Sequence, residues 1–295
     1  MEKTSGNSAI RRHGYPCESM GYMRLHMPAP ELQRFIKGYL FSRTTIHDRL
    51  FPAWTQNFLF LHLGDVYSAV MANGDVQPGF PEMLVGPRSY PSRLRPVPCY
   101  NRSIVLEFRP TAFFLLAHGG PAAFSNSIVN AQDYLPRISE IRKEAADSKS
   151  EIRACESLNR YFNAYFRNAD ATIPENKKRI LDTLDRQSDF REIQKELDAL
   201  PLSVRHLRQL FAEVTGLSPY LYLRIRRMEQ MLAEFHQNPD IKYLTRIYDF
   251  YDQSHFIREF RRFTGMRPLQ FLDDMKKEEE RTLHYNLALH FFDPE

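Results

Sequence analysis

Two short runs of side chains, at corresponding positions 49 residues apart, carry groups suited to reading an ordered array of donors and acceptors. One holds Arg205, Arg208 and Gln209; the other holds Gln253, Ser254, Ile257 and Arg258. An arginine fork donates two bonds to guanine O6 and N7, a glutamine amide pairs with adenine N6 and N7, and a branched apolar tip such as Ile257 suits a thymine methyl. Taken singly, each of these side chains is equally an ordinary solvated residue. The correspondence between the two runs sets them apart from a solvated surface.

That correspondence is an internal repeat. At a constant offset of 49, His206 matches His255, Phe211 matches Phe260, Thr215 matches Thr264, Gly216 matches Gly265, Pro219 matches Pro268 and Leu223 matches Leu272. Ser203 with Asp252, Leu207 with Phe256 and Tyr222 with Phe271 are chemically similar pairs, so the region reads as two copies of one helical unit. Each copy opens a helix with a side-chain oxygen, on Ser203 or Asp252, able to accept from orphan amides of the first turn. Leu207, Leu210, Phe211 and Val214 line one face in the first copy, as Phe256, Phe260 and Phe263 do in the second. Gly216 or Gly265 ends the helix, where a left-handed residue costs least, and the next helix starts near Pro219 or Pro268. A short helical pattern precedes each copy: Phe190, Ile193 and Leu197, then Ile241, Leu244 and Tyr248. Short helix, turn, capped helix is the helix-turn-helix plan.

Between the copies, Leu221, Ile225, Met228, Leu232 and Phe235 recur at helical spacing, so Pro219 to Phe235 is one amphipathic helix. At roughly 1.5 Å per residue it spans about 25 Å. That is comparable to one DNA turn of ~34 Å, which lets two reading helices address successive major grooves. Arg224, Arg226, Arg227, Arg246, Arg261 and Arg262 are the expected phosphate contacts, which position a protein without reading sequence.

Charge distribution agrees. Of the 295 residues, the stretch 176–277 holds 19 Lys and Arg against 15 Asp and Glu, which is the whole of the net +4. The remainder balances, and a local excess of this kind is the footprint of a polyanionic partner, here double-stranded DNA.

The motifs Ser203 to Phe211, Thr215 to Pro219, Phe250 to Phe260 and Thr264 to Pro268 together resemble the AraC-type (arabinose regulator) transcription factors. The resemblance covers 177–275 and implies a seven-helix domain with two helix-turn-helix units, usually in activators that also meet RNA polymerase. By position in that motif, Arg205, Arg208, Gln209, Gln253, Ser254, Ile257 and Arg258 are the base readers. The chain departs from the family pattern at Thr245 and Asp249, where Ala and Gly are usual, and at Gln194, with a turn two residues longer in the first copy. Asp249 tolerates a left-handed turn better than most residues.

The N-terminal part reads differently. Phe58 to Leu63, Val66 to Met71, Met83 to Val85 and Ile104 to Phe108 are short strand patterns, and Asn73-Gly74 is a hairpin signal. They place an all-β sandwich or barrel at about 50–110, after an irregular start with a short helix at Glu31 to Phe41. Thr111 to His118 is helical. Ile138, Ile141, Ala145, Ile152, Cys155, Leu158, Phe162 and Tyr165 then form an amphipathic stripe, which either packs on its own β domain or makes a homodimer through 138–165. Phe51-Pro52, Val85-Gly86-Pro87 and Leu106 to Pro110 resemble, more weakly, sensory domains that precede AraC-type modules, which implies an effector site or a dimer contact with no ligand residues assigned.

The expected architecture is therefore α+β: a β-rich domain with helices over 1–168, a linker at 169–176, the double helix-turn-helix over 177–275 and a tail over 276–295. No run of 18 apolar residues and no secretory apolar stretch occurs, which points to a cytoplasmic protein without a membrane partner. Cys17, Cys99 and Cys155 are odd in number and lack zinc spacing. No phosphate loop or nucleophile motif appears, so no enzyme activity and no cofactor are expected. Two alternatives stay open: a metal-binding or catalytic β domain, with His62 as a ligand, fused to a DNA-targeting module; and a regulator controlled by a partner protein.

Overall fold

The computed structural model describes residues 22–45, 49–95, 100–118, 120–167 and 173–279. Cys17, Cys99 and the tail beyond 279 lie outside the described residues. Ten strands come first: β1 (Tyr22–His26), β2 (Ile36–Thr45), β3 (Arg49–Phe51), β4 (Asn57–His62), β5 (Ala69–Val70), β6 (Val76–Gln77), β7 (Glu82–Val85), β8 (Ser92–Leu94), β9 (Tyr100–Phe108) and β10 (Ile128–Asn130). They form a six-stranded antiparallel sheet in the order β1-β2-β9-β4-β7-β10 and a four-stranded one in the order β3-β8-β5-β6.

Strand alternation sorts the large sheet's side chains onto two faces. Leu59, Leu61, Leu84, Ile104 and Leu106 join one cluster with the helices α1 (Pro110–Leu116), α2 (Ile138–Asp147) and α3 (Glu151–Phe166). Phe58, Phe60, Met83, Val85 and Val105 take the other face, opposite the small sheet. Met71 to Asp75 makes the expected tight connection between β5 and β6, with Gly74 at φ 87°.

One expectation for this part is corrected. Glu31 to Phe41 is not a helix: a single 3-10 turn at Pro30–Leu32 leads into β2, whose partners on both sides, β1 and β9, extend the sheet upstream of residue 50. The amphipathic stripe packs on its own β-rich part, one of its two readings. Ile138, Ala145, Cys155, Leu158 and Phe162 are buried against the large sheet, which leaves Ile152, at 65% exposure, as its one strongly exposed member.

The helical part runs through α4 (Glu175–Arg186), α5 (Phe190–Asp198), α6 (Val204–Thr215), α7 (Pro219–Gln237), α8 (Ile241–Ile247), α9 (Gln253–Thr264) and α10 (Pro268–Glu279). Tyr222, Ile225, Met228, Met231, Leu232 and Phe235 make α7 the spine of its core. Ala53 and Phe114 from the β-rich part are buried in the same cluster, so the two parts share apolar packing.

Candidate nucleic-acid interface

Each repeated helix is delimited by its own residues. Ser203 Oγ accepts from the His206 amide at 3.3 Å, and Asp252 Oδ1 accepts from the His255 amide at 2.6 Å. At the other end, Gly216 (φ 76°) and Gly265 (φ 79°) adopt the left-handed conformation and donate back to Ala212 and Arg261. Thr215 and Thr264 repeat one further device: each hydroxyl bonds the carbonyl four residues back and also spans the cap to Leu217 or Met266.

Five residues separate α5 from α6, and five separate α8 from α9. The longer turn expected in the first copy is instead a helix α5 that begins two residues earlier, relative to the repeat, behind its cap Asp189. Asp249 takes φ 53°, the left-handed turn anticipated for it, and Arg191 Nε donates to its carboxylate at 2.9 Å. Thr245 is buried, its hydroxyl satisfied by the Ile241 carbonyl. Gln194 is exposed, which is why a long side chain is tolerated there.

The buried faces of α6 and α9 hold Leu210, Phe211 and Val214, and Phe256, Phe260 and Phe263. Arg205, Arg208, Gln209, Gln253, Ser254, Ile257 and Arg258 are all exposed on the opposite faces, in the first three turns of their helices. Gln209 also donates to Glu213 at 3.0 Å, and Glu213 pairs with Lys177.

The arginines divide. Arg246, Arg261 and Arg262 are exposed. Arg226 is not placed to reach a phosphate, contrary to expectation. Its Nη1 lies 2.9 Å from Glu229 and its Nη2 bonds the Ser188 carbonyl, because Glu229 is buried on the next turn and needs a cation. Arg224 is likewise committed, making a two-pronged pair with Glu259 at 2.8 and 2.5 Å that ties α7 to α9. Arg227 stacks on Phe250 at 4.3 Å and donates to the Asp249 carbonyl. The i,i+3 spacing of Arg226 and Glu229 allows their pairing, whereas nothing in the spacing along α7 points to Glu259 of α9 as the partner of Arg224.

The β-rich part grips this assembly at three places, none of which covers the exposed reading groups. Ser125 Oγ donates to the Gly216 carbonyl at 2.9 Å, at the end of α6. The Ala53 amide donates to the Phe263 carbonyl at 2.6 Å, near the end of α9, where Gly265 abuts Leu50 and Pro91. Midway along α7, Glu229 accepts from the Thr55 amide and hydroxyl. A fourth tie joins Asp185 of α4 to the start of α1: its carboxylate accepts from the Thr111 amide at 3.2 Å, while Arg109 bonds its carbonyl. Burial pushes the Asp185 carboxyl up to about 6 despite those contacts.

Residues 197–274 match a family model described as a helix-turn-helix domain. This part of the chain is an AraC-type helix-turn-helix domain. The match supports a DNA-binding role for this part of the chain. Among solved structures, the chain is similar to ToxT from Vibrio cholerae O395, with a TM-score of 0.42 and 12% identity over 80% of this chain and 97% of that one. It is also similar to ToxT of the same strain bound to (E)-4-(8-methylnaphthalen-1-yl)but-3-enoic acid, with a TM-score of 0.42 and 11% identity over 86% and 98%. A third is unsaturated fatty acid bound wild-type ToxT from Vibrio cholerae strain SCE256, with a TM-score of 0.41 and 12% identity over 79% and 94%. No curated protein matches the chain in sequence.

His62, the alternative metal ligand, is buried, with Nδ1 3.2 Å from the Asn101 amide and its ring between Phe60 and Tyr67. Burial lowers its pKa to about 4. Among the described residues no three His, Cys, Asp or Glu side chains cluster as a metal would require. Nor is any described helix long and apolar enough to cross a membrane.

Proposed function

We propose that the protein is a sequence-specific transcription activator whose α6 and α9 read successive major grooves and whose β-rich part receives a small-molecule signal. The observation that carries this reading is the pair of equivalent, capped helices, each with polar and forked side chains exposed in its first three turns and an apolar face locked into one core. Arg205, Arg208 and Gln209 read one half-site; Gln253, Ser254, Ile257 and Arg258 read the other. Arg246, Arg261 and Arg262 hold the phosphates, and activation follows from contact with RNA polymerase at the bound promoter. Since one chain carries two reading helices, a single copy suffices for an asymmetric site.

Genome-wide mapping of bound sites followed by anisotropy titration on the recovered sequence tests the reading. The expected result is an asymmetric two-part site bound at least about a thousandfold more tightly than random DNA. Equal affinity for both would overturn it. A reporter behind that site distinguishes activation from repression.

A further inference from the structure

The two sheets enclose a cavity whose open interior is about 70 Å³. One water needs roughly 10–15 Å³ on that scale, so the space suits a ligand of about five or six non-hydrogen atoms. Trp54, Phe60, Met83, Val85 and Leu94 give it an apolar lining. Polar side chains also line it, Ser42, Tyr67, Asn101 and Ser103 among them, and two more, Arg88 and Ser92, are each only 1% exposed.

Neither is satisfied. Arg88 Nε and Ser92 Oγ are buried without a hydrogen-bond partner. The guanidinium's Nη1 faces Met71 Sδ at 3.1 Å, and its centre stands 5.4 Å from the Trp54 ring. Among the described residues no Asp or Glu pairs with it, whereas buried Glu82, Glu107, Glu229 and Glu259 each have a cation. A buried guanidinium without an anion pays its desolvation uncompensated. Burial accordingly pulls the Arg88 pKa down to about 10. The residue is firmly placed all the same: its amide and carbonyl both bond Trp54. A fixed cation, an orphan hydroxyl and an aromatic wall around a small space describe half of an ion pair.

We propose that this cavity binds a short-chain carboxylate, whose anion is taken by Arg88 and Ser92 and whose compact apolar body lies against Trp54, Phe60 and Val85. The site rests on the reading of the β-rich part as a receiver of small molecules, and gives that signal a chemical class. It also has a route outward. Phe51 and Trp54 line the cavity, while Leu50, Ala53 and Thr55 of the same strap touch α9 and α7, so occupancy acts on the second reading helix through seven residues, 50–56.

The test titrates the full chain with butyrate and isobutyrate, and in parallel with butyramide and isobutyramide, at constant ionic strength, following the thermal midpoint. A saturable rise with the acids and none with the amides is expected. Arg88→Met should abolish the response, yet without ligand it should melt no lower than the parent, because it removes an unpaired buried charge and keeps the volume. A side chain kept only for packing would not behave so. If Arg88→Met does not fold, Ser92→Ala decides, with the half-saturating concentration expected to rise about tenfold for the lost hydrogen bond. No response to either acid, an equal response to the amides, or saturation unchanged in Ser92→Ala overturns the proposal. DNA anisotropy without added acid separates the two readings: specific DNA binding with no carboxylate response sinks the ligand site alone, while a carboxylate response without specific DNA binding sinks the regulator reading and leaves the site.

Discussion

Arg226 and Arg258 look alike in the sequence and have opposite environments in the fold. Arg258 is exposed beside Gln253 and Ser254, whereas Arg226 neutralises Glu229 in the contact between the two parts of the chain. Arg258→Ala and Gln253→Ala should each lose about 1–3 kcal/mol at the cognate site and leave random-sequence binding nearly intact, as read by paired anisotropy titrations. Arg226→Ala should do the reverse. Stranding a buried Glu229 costs about 3–5 kcal/mol of stability in a denaturant titration, while affinity of the folded fraction for DNA stays the same. Arg261→Ala or Arg262→Ala should each lower the slope of log affinity against log salt by about 1; an unchanged slope would remove those residues from the phosphate set. Exposure on an amphipathic helix is legible from spacing, and all seven reading candidates are exposed. A buried partner arriving from another helix, as Glu259 of α9 does for Arg224, is not, and the three-residue spacing of Arg226 and Glu229 on α7 does not by itself say that the pair is buried. Nor does anything in Pro87-Arg88-Ser89 distinguish a sealed guanidinium from a surface one.

Caps and periodicity decide what happens one level up. Gly216 and Gly265 serve twice, since each ends its helix at positive φ and each abuts the β-rich part. A Cβ at Gly216 would overlap Ser125 Oγ as well as strain the backbone. Gly216→Ala should therefore cost more than about 1 kcal/mol, and Ser125→Gly should recover part of that loss in a double-mutant cycle. Asp252→Ala removes the acceptor for the His255 amide and should cost about 1 kcal/mol, measurable by thermal denaturation. The repeated helices α6 and α9 are readable because each is bounded by a capping oxygen, a glycine and a following proline and keeps a spacing of three and four. Strand β2 lacked such punctuation. Tyr39 and Phe41 face the helices while Leu40 faces the other way, so the apolar run of a strand covered on both sides shows no alternation and reads as a helix.

The molecule as a whole is tied together through buried carboxyls, which makes the contact between its parts pH-dependent. Asp185 titrates near 6 in the folded chain against an ordinary 3.8, because burial disfavours its charge. The folded state therefore holds this proton more tightly than the unfolded state. Its stabilising effect is complete below about 3.8 and is lost as the pH rises through about 6. Asp185→Asn, which keeps the acceptor for the Thr111 amide, should flatten stability across that window and melt higher than the parent at pH 7 to 8. A parallel pH profile for the two proteins would exclude Asp185 as the titrating group. The three-point grip on α6, α7 and α9 has its own consequence on the DNA. Two reading helices pinned at their C-terminal ends and at the spine between them are fixed in rotational phase before any duplex is met, so the entropic cost of aligning them is incurred on folding. An operator with one base pair inserted between its halves turns the second half by about 34° to 36°. Such a clamped pair can follow only by breaking a contact at Ser125, Thr55 or Ala53, so it should treat one extra base pair as the loss of a whole half-site.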